Sequence, residues 1–423
     1  MESILIFLGF ILFFLLFCWK AGNTYPLVYF FLFVYFIQYI FSVSLTYNEF
    51  PLLRRQMPIN EKALFDYLIP ALIFLFAGVF LFNRDISLKG ALQKINPSVA
   101  QQTGHLLVII SFVIDLLPSL GVPGLGSIIS FTYFLKFSGA MCYIFAPSII
   151  NYSILILVYA TLAQAALVYG VFIDFFAWCA YLFFIIILKY DLSFRLRSLI
   201  ILIAVPALVI VQAVKTEYRS AADRGESGLG TIVELAQKKQ ESGNILFAKS
   251  EGIERTVGRL NQGWHLSKVL KWVPRKEPFS NGEDFFSDLM GTLLPRIFFL
   301  DKKVIGSQDK FRKFTGFKLI GSTSMTIGVL GDFYINFGWW GSFIGLFIFG
   351  ALMAKTLYWF TKRYIVTEPV NIIWVPFLFC YLVRANNDLY IIVNNLFKGF
   401  IIFIAVEYLR KQLWPDRQQP FPK

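Results

Sequence analysis

Histidine and cysteine are scarce in this chain of 423 residues, and their scarcity excludes several kinds of site. Two histidines, His105 and His265, are too few for a multi-histidine metal centre. The four cysteines all lie in apolar runs, outside the polar part of the chain, and they are Cys18, Cys142, Cys179 and Cys380. This distribution argues against a disulfide framework and against a zinc cluster. We therefore expect no metal and no other cofactor.

Charge is also sparse. Only 15% of the residues are charged and 57% are apolar, whereas ordinary soluble domains carry roughly 25% charged residues. Apolar runs of about 18 or more residues recur, which is typical of membrane-spanning helices rather than of a buried core. The first run, 4–19, lacks the basic start and the small-residue end of a cleavable signal peptide. We therefore predict that it is an uncleaved first span.

These runs predict an all-α, polytopic integral membrane protein with about eleven transmembrane helices. The spans are predicted at 4–19, 25–45, 63–82, 106–120, 128–145, 153–167, 171–188, 199–214, 339–359, 370–383 and 389–408. A long polar, net-basic insert, 215–322, interrupts the series and divides the chain into three parts. A bundle of about eight spans at 1–214 precedes the insert, and a re-entrant segment with the last spans follows at 323–423.

Lysine and arginine are distributed unevenly over the short loops, and this predicts the orientation in the membrane. Most of them fall in alternate loops, namely Lys20, Arg84, Lys89, Lys94, Lys189, Arg195, Arg197, Lys362, Arg363, Arg410, Lys411 and Arg417. Because positive charge favours the cytoplasmic side, these loops are expected inside. The N-terminus and the insert are then outside, and the C-terminus is inside.

The insert is predicted to be helical and to bind an anion. Its apolar periodicity predicts three helices, at 226–240, 250–273 and 284–294. It carries roughly six more basic than acidic residues, an excess that outer loops normally avoid. The net charge of +13 does not indicate a nucleic-acid partner, because no basic stripe is interleaved with a soluble fold. A negatively charged ligand at the outer membrane surface explains the excess.

Helical spacing in the insert places Arg255, Arg259 and Gln262 on one face, and His265 and Lys268 continue the series. Guanidinium groups bind phosphate oxygens in pairs, so two arginines one turn apart suit a pyrophosphate. A solvated polar face is the alternative interpretation. Further basic residues flank this helix, and they are Lys215, Arg219, Arg296, Arg312 and Lys313.

A glycine-rich segment, 321–338, follows the insert and contains Asp332 and Asn336. It is apolar enough to enter the bilayer, where an ionisable residue is costly and favours a functional role. Its glycines permit a broken or re-entrant helix. Asp332 is predicted either to act as a general base on a sugar hydroxyl or to pair with one of the arginines. Pairing is favoured, because a partly buried arginine cluster needs compensation.

A second polar cluster, 384–388, separates the last two spans, with Asn394 and Asn395 beyond it. It either belongs to a functional site or forms an outer loop with an Arg384–Asp388 pair at helical spacing. Two isolated acidic residues, Asp115 and Asp174, lie in apolar runs, where a neighbouring span is expected to satisfy them.

Several short motifs lie between the eighth span and the C-terminus. They are Gln212-Ala-Val-Lys215-Thr-Glu-Tyr218-Arg219, Arg259-Leu-Asn261-Gln262-Gly263-Trp264, Pro278-Phe279, Pro295-Arg296, Thr323-Ser324 and Gly331-Asp332-Phe333-Tyr334-Ile-Asn336-Phe337-Gly338. Together they resemble the bacterial O-antigen polymerase, or oligosaccharide repeat-unit polymerase, family over about half of the chain. The last motif is the most specific, although the family commonly has glutamate where this chain has Asp332.

The resemblance implies a GT-C-like membrane enzyme on the periplasmic face of the bacterial inner membrane. Such enzymes transfer a growing glycan from undecaprenyl pyrophosphate onto the next lipid-linked repeat unit, without a nucleotide sugar and without a metal. The lipid pyrophosphate is the leaving group. The implied partners are the lipid-linked oligosaccharide, membrane lipids and a chain-length regulator.

The resemblance also implies roles for individual residues. Arg255, Arg259 and Asp332 are implied as catalytic, with the arginines stabilising the charge that develops on the pyrophosphate. The residues implied in substrate binding are Lys215, Tyr218, Arg219, Asn261, Gln262, Trp264, His265, Arg296, Arg312, Thr323, Ser324, Tyr334 and Asn336.

Three other functions are alternatives. An O-antigen ligase uses the same donor and also needs an arginine-rich outer loop, so composition does not separate it from a polymerase. A polysaccharide transporter or flippase has internal repeats and short outer loops, whereas one loop dominates here. An exosortase-like protease needs a cysteine nucleophile near the outer face, whereas the cysteines here lie in apolar runs.

Overall fold

The structure is a computed structural model that describes residues 2–116, 131–170, 172–226, 228–241, 251–293, 308–319 and 325–415. Every regular element in these ranges is helical. Eight of the described helices are long and apolar enough to cross a membrane, and they are Leu27–Asn48, Glu61–Phe82, Pro97–Leu116, Ile149–Tyr169, Ile173–Tyr190, Phe194–Ala222, Gly328–Ile365 and Leu389–Leu413. The chain therefore has the architecture of a helical, multi-pass membrane protein.

Eight of the eleven predicted spans correspond to these long helices. Two others, 4–19 and 370–383, correspond to shorter apolar helices, Ile4–Lys20 and Pro369–Val383. The predicted span 128–145 begins outside the described residues. Its described part forms one short helix, Leu135–Met141, and a 3-10 turn instead of a single long helix.

The described helices are numbered here in chain order. They are α1 (Glu2–Lys20), α2 (Leu27–Tyr35), α3 (Ser42–Asn48), α4 (Pro51–Gln56), α5 (Glu61–Phe82), α6 (Pro97–Leu116), α7 (Leu135–Met141), α8 (Ile149–Tyr169), α9 (Ile173–Tyr190), α10 (Phe194–Ala222), α11 (Leu229–Glu241), α12 (Glu251–Leu260), α13 (Gly263–Trp272), α14 (Glu283–Leu293), α15 (Gln308–Thr315), α16 (Gly328–Phe360), α17 (Trp374–Val383) and α18 (Leu389–Leu413). A π-helical turn, Phe36–Phe41, joins α2 to α3.

Ion pairs bring together the loops that carry the orienting lysines and arginines. Lys20 Nζ lies 2.5 Å from Asp85 Oδ2, and Lys89 Nζ lies 2.9 Å from Asp191 Oδ2. Arg197 donates a hydrogen bond of 3.2 Å to the carbonyl of Trp19. These loops therefore lie at one end of the bundle, called the basic end below. The compartment that this end faces is still a prediction from charge.

The insert packs against loops at the opposite end of the bundle. Arg219 Nε donates to the carbonyl of Gly170 at 3.2 Å, and Asn261 Nδ2 donates to Thr46 Oγ1 at 2.9 Å. The hydroxyl of Thr326 donates to the carbonyl of Asn386 in the turn before α18. The alternation of the loops between two ends therefore agrees with the predicted order of spans.

Helix α16 bends sharply at Gly338. The backbone angles of Gly338, φ 66° and ψ −161°, lie in a region that is essentially restricted to glycine. The bend is tight, because the hydroxyl of Tyr67 lies 3.1 Å from both Leu330 O and Ser342 Oγ. Leu330 and Ser342 would be about 18 Å apart along a straight helix. The expected break in the segment 321–338 is thus present, and residues 328–337 form a half-helix that is buried up to Asn336.

Exposed tryptophans mark both ends of the straight part of α16. Trp339 and Trp340 are exposed directly after the bend, and Trp359 is exposed near the other end. The helix between them rises about 30 Å, which matches the hydrocarbon thickness of a bilayer. Tryptophan is enriched at membrane interfaces. The bend at Gly338 therefore lies next to one interface, at the end of the bundle where the insert packs.

The prediction of a single insert helix at 250–273 was wrong in one respect, because this stretch forms two helices, α12 and α13. The backbone N–H of Gln262 donates to the carbonyl of Gln38 at 3.0 Å, and Asn261 Oδ1 accepts from the N–H of Trp264 at 3.1 Å. At the break, these two hydrogen bonds take the place of the regular backbone hydrogen bonds of an α-helix. His265 and Lys268 therefore do not continue the helix that carries Arg255 and Arg259. The other two predicted insert helices correspond to α11 and α14.

Candidate functional site

Three aspartates and one lysine meet where the half-helix, the insert and the last long helix come together. Lys310 Nζ, on α15, lies 2.7 Å from Asp332 Oδ1 and 2.9 Å from Asp288 Oδ2. The backbone N–H of Leu389 donates to Asp332 Oδ2 at 2.8 Å, and that of Gly328 donates to Asp388 Oδ1 at 2.8 Å. We call Asp288, Lys310, Asp332 and Asp388 the carboxylate cluster.

Asn336 positions the insert against the half-helix. It lies one turn after Asp332, and its Nδ2 donates to the carbonyl of Asp332 at 2.8 Å. Its Oδ1 accepts from Ser280 Oγ at 2.8 Å and from the N–H of Phe285 at 3.0 Å. The backbone N–H of Ser280 also bonds the carbonyl of Ile335 at 2.9 Å. These bonds fix the start of α14, which brings Asp288 to the cluster.

Two pairing predictions were wrong. Among the described residues, Asp332 pairs with Lys310, a lysine, instead of with one of the predicted arginines. Arg384 pairs with Asp174 on α9, and not with Asp388, which instead caps the start of the half-helix through Gly328. Asp332 meets Lys310 because α15 packs beside the half-helix, whereas α12 with its arginines packs on α10. Arg384 reaches Asp174 because a distant segment, α9, lies closer to it in space than the neighbour one helical turn away. Asp115 is satisfied by Lys136 on the adjacent α7, at 2.7 Å, as expected.

The charges of the cluster influence one another strongly. Burial opposes the positive charge of Lys310, but the carboxylates of Asp332, Asp388 and Asp288 outweigh it and raise the pKa of Lys310 above its usual value. Burial raises the pKa of Asp388 to about 8, and the negative charge of Asp332 adds to this rise. The cluster therefore holds a stable lysine cation and one carboxyl group that carries a proton near neutral pH.

An apolar groove of about 510 Å³ begins at the carboxylate cluster. Asp332, Asp288 and Asn336 line its polar end, and its other walls come from α14, α16 and α18. The wall residues on α16 lie on one stripe and include Gly341, Ile344, Gly345, Ile348, Phe349 and Leu352. Leu352 lies about 18 Å along the helix from Trp340. The groove therefore extends from the interface well into the depth of the hydrocarbon layer.

The outer rim of the groove faces the surroundings of the bundle. Ile344, Ile348 and Leu352 are 59%, 50% and 58% exposed although they line the groove. In a protein that crosses a membrane, such a surface contacts lipid chains. The groove is therefore suited to one apolar chain that enters sideways from the bilayer.

A second group of charges lies between α10, α11 and α12. Glu217 pairs with Arg255 at 3.0 Å and with Lys239 at 2.9 Å. Arg259 Nη1 donates to the carbonyl of Gln212 at 2.9 Å and to its Oε1 at 2.6 Å, and Nη2 donates to Thr216 Oγ1 at 3.1 Å. Neutral oxygens thus hold the guanidinium of Arg259.

Lys215 and Arg219 belong to the same group. The positive charges of Arg219 and Arg259 both act on Lys215, and the charge of Arg219 also acts on Arg259. Partial burial of its side chain lowers the pKa of Arg259, and the charges of Arg219 and Arg255 lower it further. We call Lys215, Arg219, Lys239, Arg255 and Arg259 the basic cluster. Four of these five were expected at one site from the sequence. The concentration of positive charge suits a phosphate-bearing ligand.

The basic cluster and the carboxylate cluster are separate. The first packs on α10, whereas the second lies at the half-helix of α16. The turn Phe36–Phe41 lies between them, since Gln38 O accepts from Gln262 and the hydroxyl of Tyr39 donates to Ala385 O at 3.1 Å. The structure therefore does not bring Arg255 and Arg259 into direct contact with Asp332.

Several other residues implied in substrate binding have structural positions instead. Tyr218 is fully buried, and its hydroxyl donates to Leu167 O at 2.7 Å and accepts from Gly228 N at 3.1 Å. Asn261 is buried at the break between α12 and α13, as described above. The ring of Tyr334 packs between those of Tyr67 and Phe279, and its hydroxyl donates to Val273 O at 3.3 Å. The three side chains are thus buried against other parts of the chain, and their role in substrate binding stays a prediction.

Most of the remaining implied residues lie on the insert. Gln262 and His265 bond each other at 2.9 Å, and burial lowers the pKa of His265 to about 4. Lys268 lies over the rings of Trp264 and Phe317, at 5.0 and 5.1 Å from their centroids. Arg312 is exposed and pairs with Asp309 at 3.0 Å. Arg296, Thr323 and Ser324 lie outside the described residues.

Sequence reasoning missed Asp288 and Lys310. Lys310 is one of many basic residues in the insert, and its spacing from Asp332 carries no periodic signal. Asp288 lies one turn after Asp284 on a predicted helix, between Phe285 and Leu289, which line the groove. An acidic residue on the apolar face of a helix was the available signal for Asp288.

Comparison with models of known protein families, with curated proteins and with solved structures finds no match to this chain.

Proposed function

We propose that this protein is a membrane glycosyltransferase of GT-C-like architecture that polymerises lipid-linked oligosaccharide repeat units into a surface polysaccharide. The observation that carries the proposal is the apolar groove that ends at the carboxylate cluster. A prenyl chain fits such a groove, and a carboxylate at its polar end can accept a proton from a sugar hydroxyl. The resemblance of the sequence motifs supplies the substrate class.

In this proposal the groove holds the hydrocarbon chain of a lipid-linked substrate. The wall is formed by branched and aromatic side chains along one stripe of α16 and by Val393 on α18. Burying each methylene of the chain stabilises the complex by about 0.8 kcal/mol. The exposed rim lets the chain enter from the bilayer without passing through water.

The basic cluster holds a pyrophosphate in this proposal. Polymerisation needs two lipid-linked substrates, and each carries a pyrophosphate. Arg255, Arg259 and Lys215 bring positive charge together on the side of the insert, with Arg259 exposed and held by neutral groups. Arginines bind such an anion in pairs and stabilise the charge that remains when the glycosidic bond to it breaks.

The proposed location is the bacterial inner membrane, with the insert on the periplasmic side. The distribution of lysine and arginine over the short loops supports this side. Lipid-linked repeat units that have been moved across the membrane are then directly accessible to the groove. A chain-length regulator is a proposed partner that would bind at the same end.

The test is a reconstituted reaction. The purified chain in lipid nanodiscs is incubated with a prenyl-pyrophosphate-linked repeat unit, and the products are separated by length. A ladder of polymer with release of prenyl pyrophosphate supports the proposal. Conversion only after lipid A core is added, without a ladder, indicates a ligase instead. No consumption of the repeat unit in either case contradicts glycosyl transfer.

A bulky substitution in the groove tests where the prenyl chain binds. Ile348→Trp fills the groove and is expected to lower kcat/KM at least about tenfold, which corresponds to about 1.4 kcal/mol. Ile404→Trp is the matched control, because Ile404 is also exposed on a spanning helix but does not line the groove. A repeat unit on a short prenyl chain should be less affected by Ile348→Trp. Equal activity of both variants would show that the chain binds elsewhere.

A further inference from the structure

We propose that Asp288 is the general base of the reaction and that Lys310 and Asp332 hold it in position. The inference rests on the proposed glycosyl transfer and deepens it. Asp288 was not singled out by any sequence motif. Its assignment comes from the contacts within the carboxylate cluster and from the shape of the groove.

Two carboxylates of the cluster line the groove, Asp288 and Asp332, and they differ in what surrounds them. Asp332 is held on both oxygens, since Oδ1 meets Lys310 and Oδ2 accepts from the N–H of Leu389. Its side chain is only 5% exposed, whereas that of Asp288 is 20% exposed. Asp288 is therefore the carboxylate that a hydroxyl in the groove reaches more easily.

Asp288 lines the groove, and only one of its two carboxylate oxygens is paired within the described residues. Its Oδ2 lies 2.9 Å from Lys310 Nζ. Among the described residues, no group is hydrogen-bonded to its Oδ1. An ionised carboxylate oxygen of this kind accepts a hydrogen bond from a sugar hydroxyl. Lys310 fixes the rotamer of the Asp288 carboxylate, because the same ammonium is anchored at 2.7 Å by the buried Asp332.

The position of α14 supports this role. The start of the helix is fixed by the bonds of Ser280 and Phe285 to Asn336, and Asp288 lies one turn further along. The charged groups that face Asp288 are Lys310, Asp332 and Asp388, which surround it from α15, α16 and the turn before α18. A base must be held rigidly near the proton that it removes. Asp332 is thus a positioning residue, and Asp288 touches the substrate.

The proposed step is a displacement at the anomeric carbon of the donor. The acceptor hydroxyl gives its proton to the carboxylate of Asp288, and its oxygen forms a bond to the anomeric carbon of the donor. The bond from that carbon to the pyrophosphate oxygen breaks, and the electron pair stays on the pyrophosphate. The products are a glycosidic bond, a prenyl pyrophosphate anion and a protonated Asp288, which then loses its proton to water.

The experiment measures kcat and KM as functions of pH in the reconstituted reaction. Asp288→Asn is expected to lower kcat by about 10²–10⁴-fold, to leave KM unchanged and to abolish the decline of kcat at acidic pH. Asp332→Asn is expected to lower kcat but to keep that decline, because Asp288 is still present. Glu283→Gln is the matched control, since Glu283 is an exposed acid on the same helix that does not line the groove.

Opposite results would overturn the assignment. If Asp288→Asn keeps wild-type kcat, or if only Asp332→Asn loses the acidic decline, Asp288 is not the base. Asp288→Glu keeps a carboxylate, so reduced kcat with the acidic decline retained is expected even if the asparagine variant does not fold. A folded glutamate variant without the decline would contradict the proposal. Failure of the wild-type protein to polymerise overturns the proposed function instead, so the two failures are distinguishable.

Discussion

At the scale of single residues, the carboxylate cluster is the least expected feature of the molecule. Burying an ion without a partner destabilises a protein by several kcal/mol, and here three aspartates lie close to one lysine. The structure compensates them with the ammonium of Lys310 and with two backbone N–H groups, those of Leu389 and Gly328. The carboxyl group of Asp388 carries a proton near neutral pH, which removes one of the negative charges. The cluster is therefore sensitive to pH.

The proton on Asp388 predicts how the stability changes with pH. Its pKa is about 8 in the folded protein, whereas the carboxyl of an unfolded chain titrates near 3.9. The folded state therefore binds more protons than the unfolded state between about pH 4 and 8, and stability falls as the pH rises through this window. Asp388→Asn keeps an acceptor for the N–H of Gly328 but removes the titration.

Thermal unfolding in nanodiscs from pH 5 to pH 9 tests this prediction. The unfolding temperature of Asp388→Asn relative to wild type should rise from pH 5 to about pH 8 and level off above it. A difference that stays constant over the whole range would show that Asp388 ionises at its ordinary pKa in the folded protein.

At the scale of elements, the half-helix of α16 and helix α14 together build the site. The half-helix carries Asp332 and Asn336, and Asn336 anchors the start of α14. Glycine is required at the bend because residue 338 has a positive φ of 66° with an extended ψ. An L-residue with a side chain is strained in this conformation. The site therefore depends on one backbone position outside it.

Gly338→Ala is expected to destabilise the protein by about 1–3 kcal/mol, which is the range for a strained backbone conformation. It should also lower polymerase activity, because the half-helix moves relative to α14. Gly230→Ala is the matched control, since a Cβ at Gly230 meets no atom within 4 Å. Chemical denaturation and the reconstituted reaction check both effects. Equal stability of the two variants would contradict the account of the bend.

The sequence predicted the elements better than their contacts. The glycines of segment 321–338 predicted a broken helix, and Gly338 is where α16 bends. Spacing of three and four residues brought Arg255 and Arg259 together correctly, because both lie on α12. The prediction that the same helical face continues failed at Asn261 and Gln262, where hydrogen bonds to Thr46 and Gln38 break the helix. Lys310 was missed for the same reason, since its contact with Asp332 depends on tertiary packing.

At the scale of the whole molecule, the bundle has two chemically different ends. Loops rich in lysine and arginine meet at the basic end, and the insert packs with both clusters at the other end. The groove runs from that second end into the hydrocarbon layer along α16. A substrate with a long apolar chain and a charged, water-soluble head would be held in this orientation.

The orientation predicts the result of a topology experiment. A reporter protein inserted within residues 225–241, in the loop before α11 or in the helix itself, should report the periplasmic side. A reporter fused after Leu413 should report the cytoplasmic side, because Arg410, in the last turn of α18, pairs with Glu368 in the basic loop after α16. The ratio of alkaline phosphatase to fluorescent-protein signal measures both. A cytoplasmic readout from 225–241 would contradict the mechanism, because lipid-linked repeat units are displayed outside.

The most direct test of polymerase function is the surface glycan profile of a strain that lacks this gene. We expect the ladder of polymer to collapse to a single repeat unit and the wild-type gene to restore the ladder. The Asp288→Asn variant should restore only the single unit, although it accumulates in the membrane. A ladder that persists in the deletion strain would contradict polymerase function. Complete loss of attached glycan, with lipid-linked polymer accumulating, would indicate a ligase and contradict it as well.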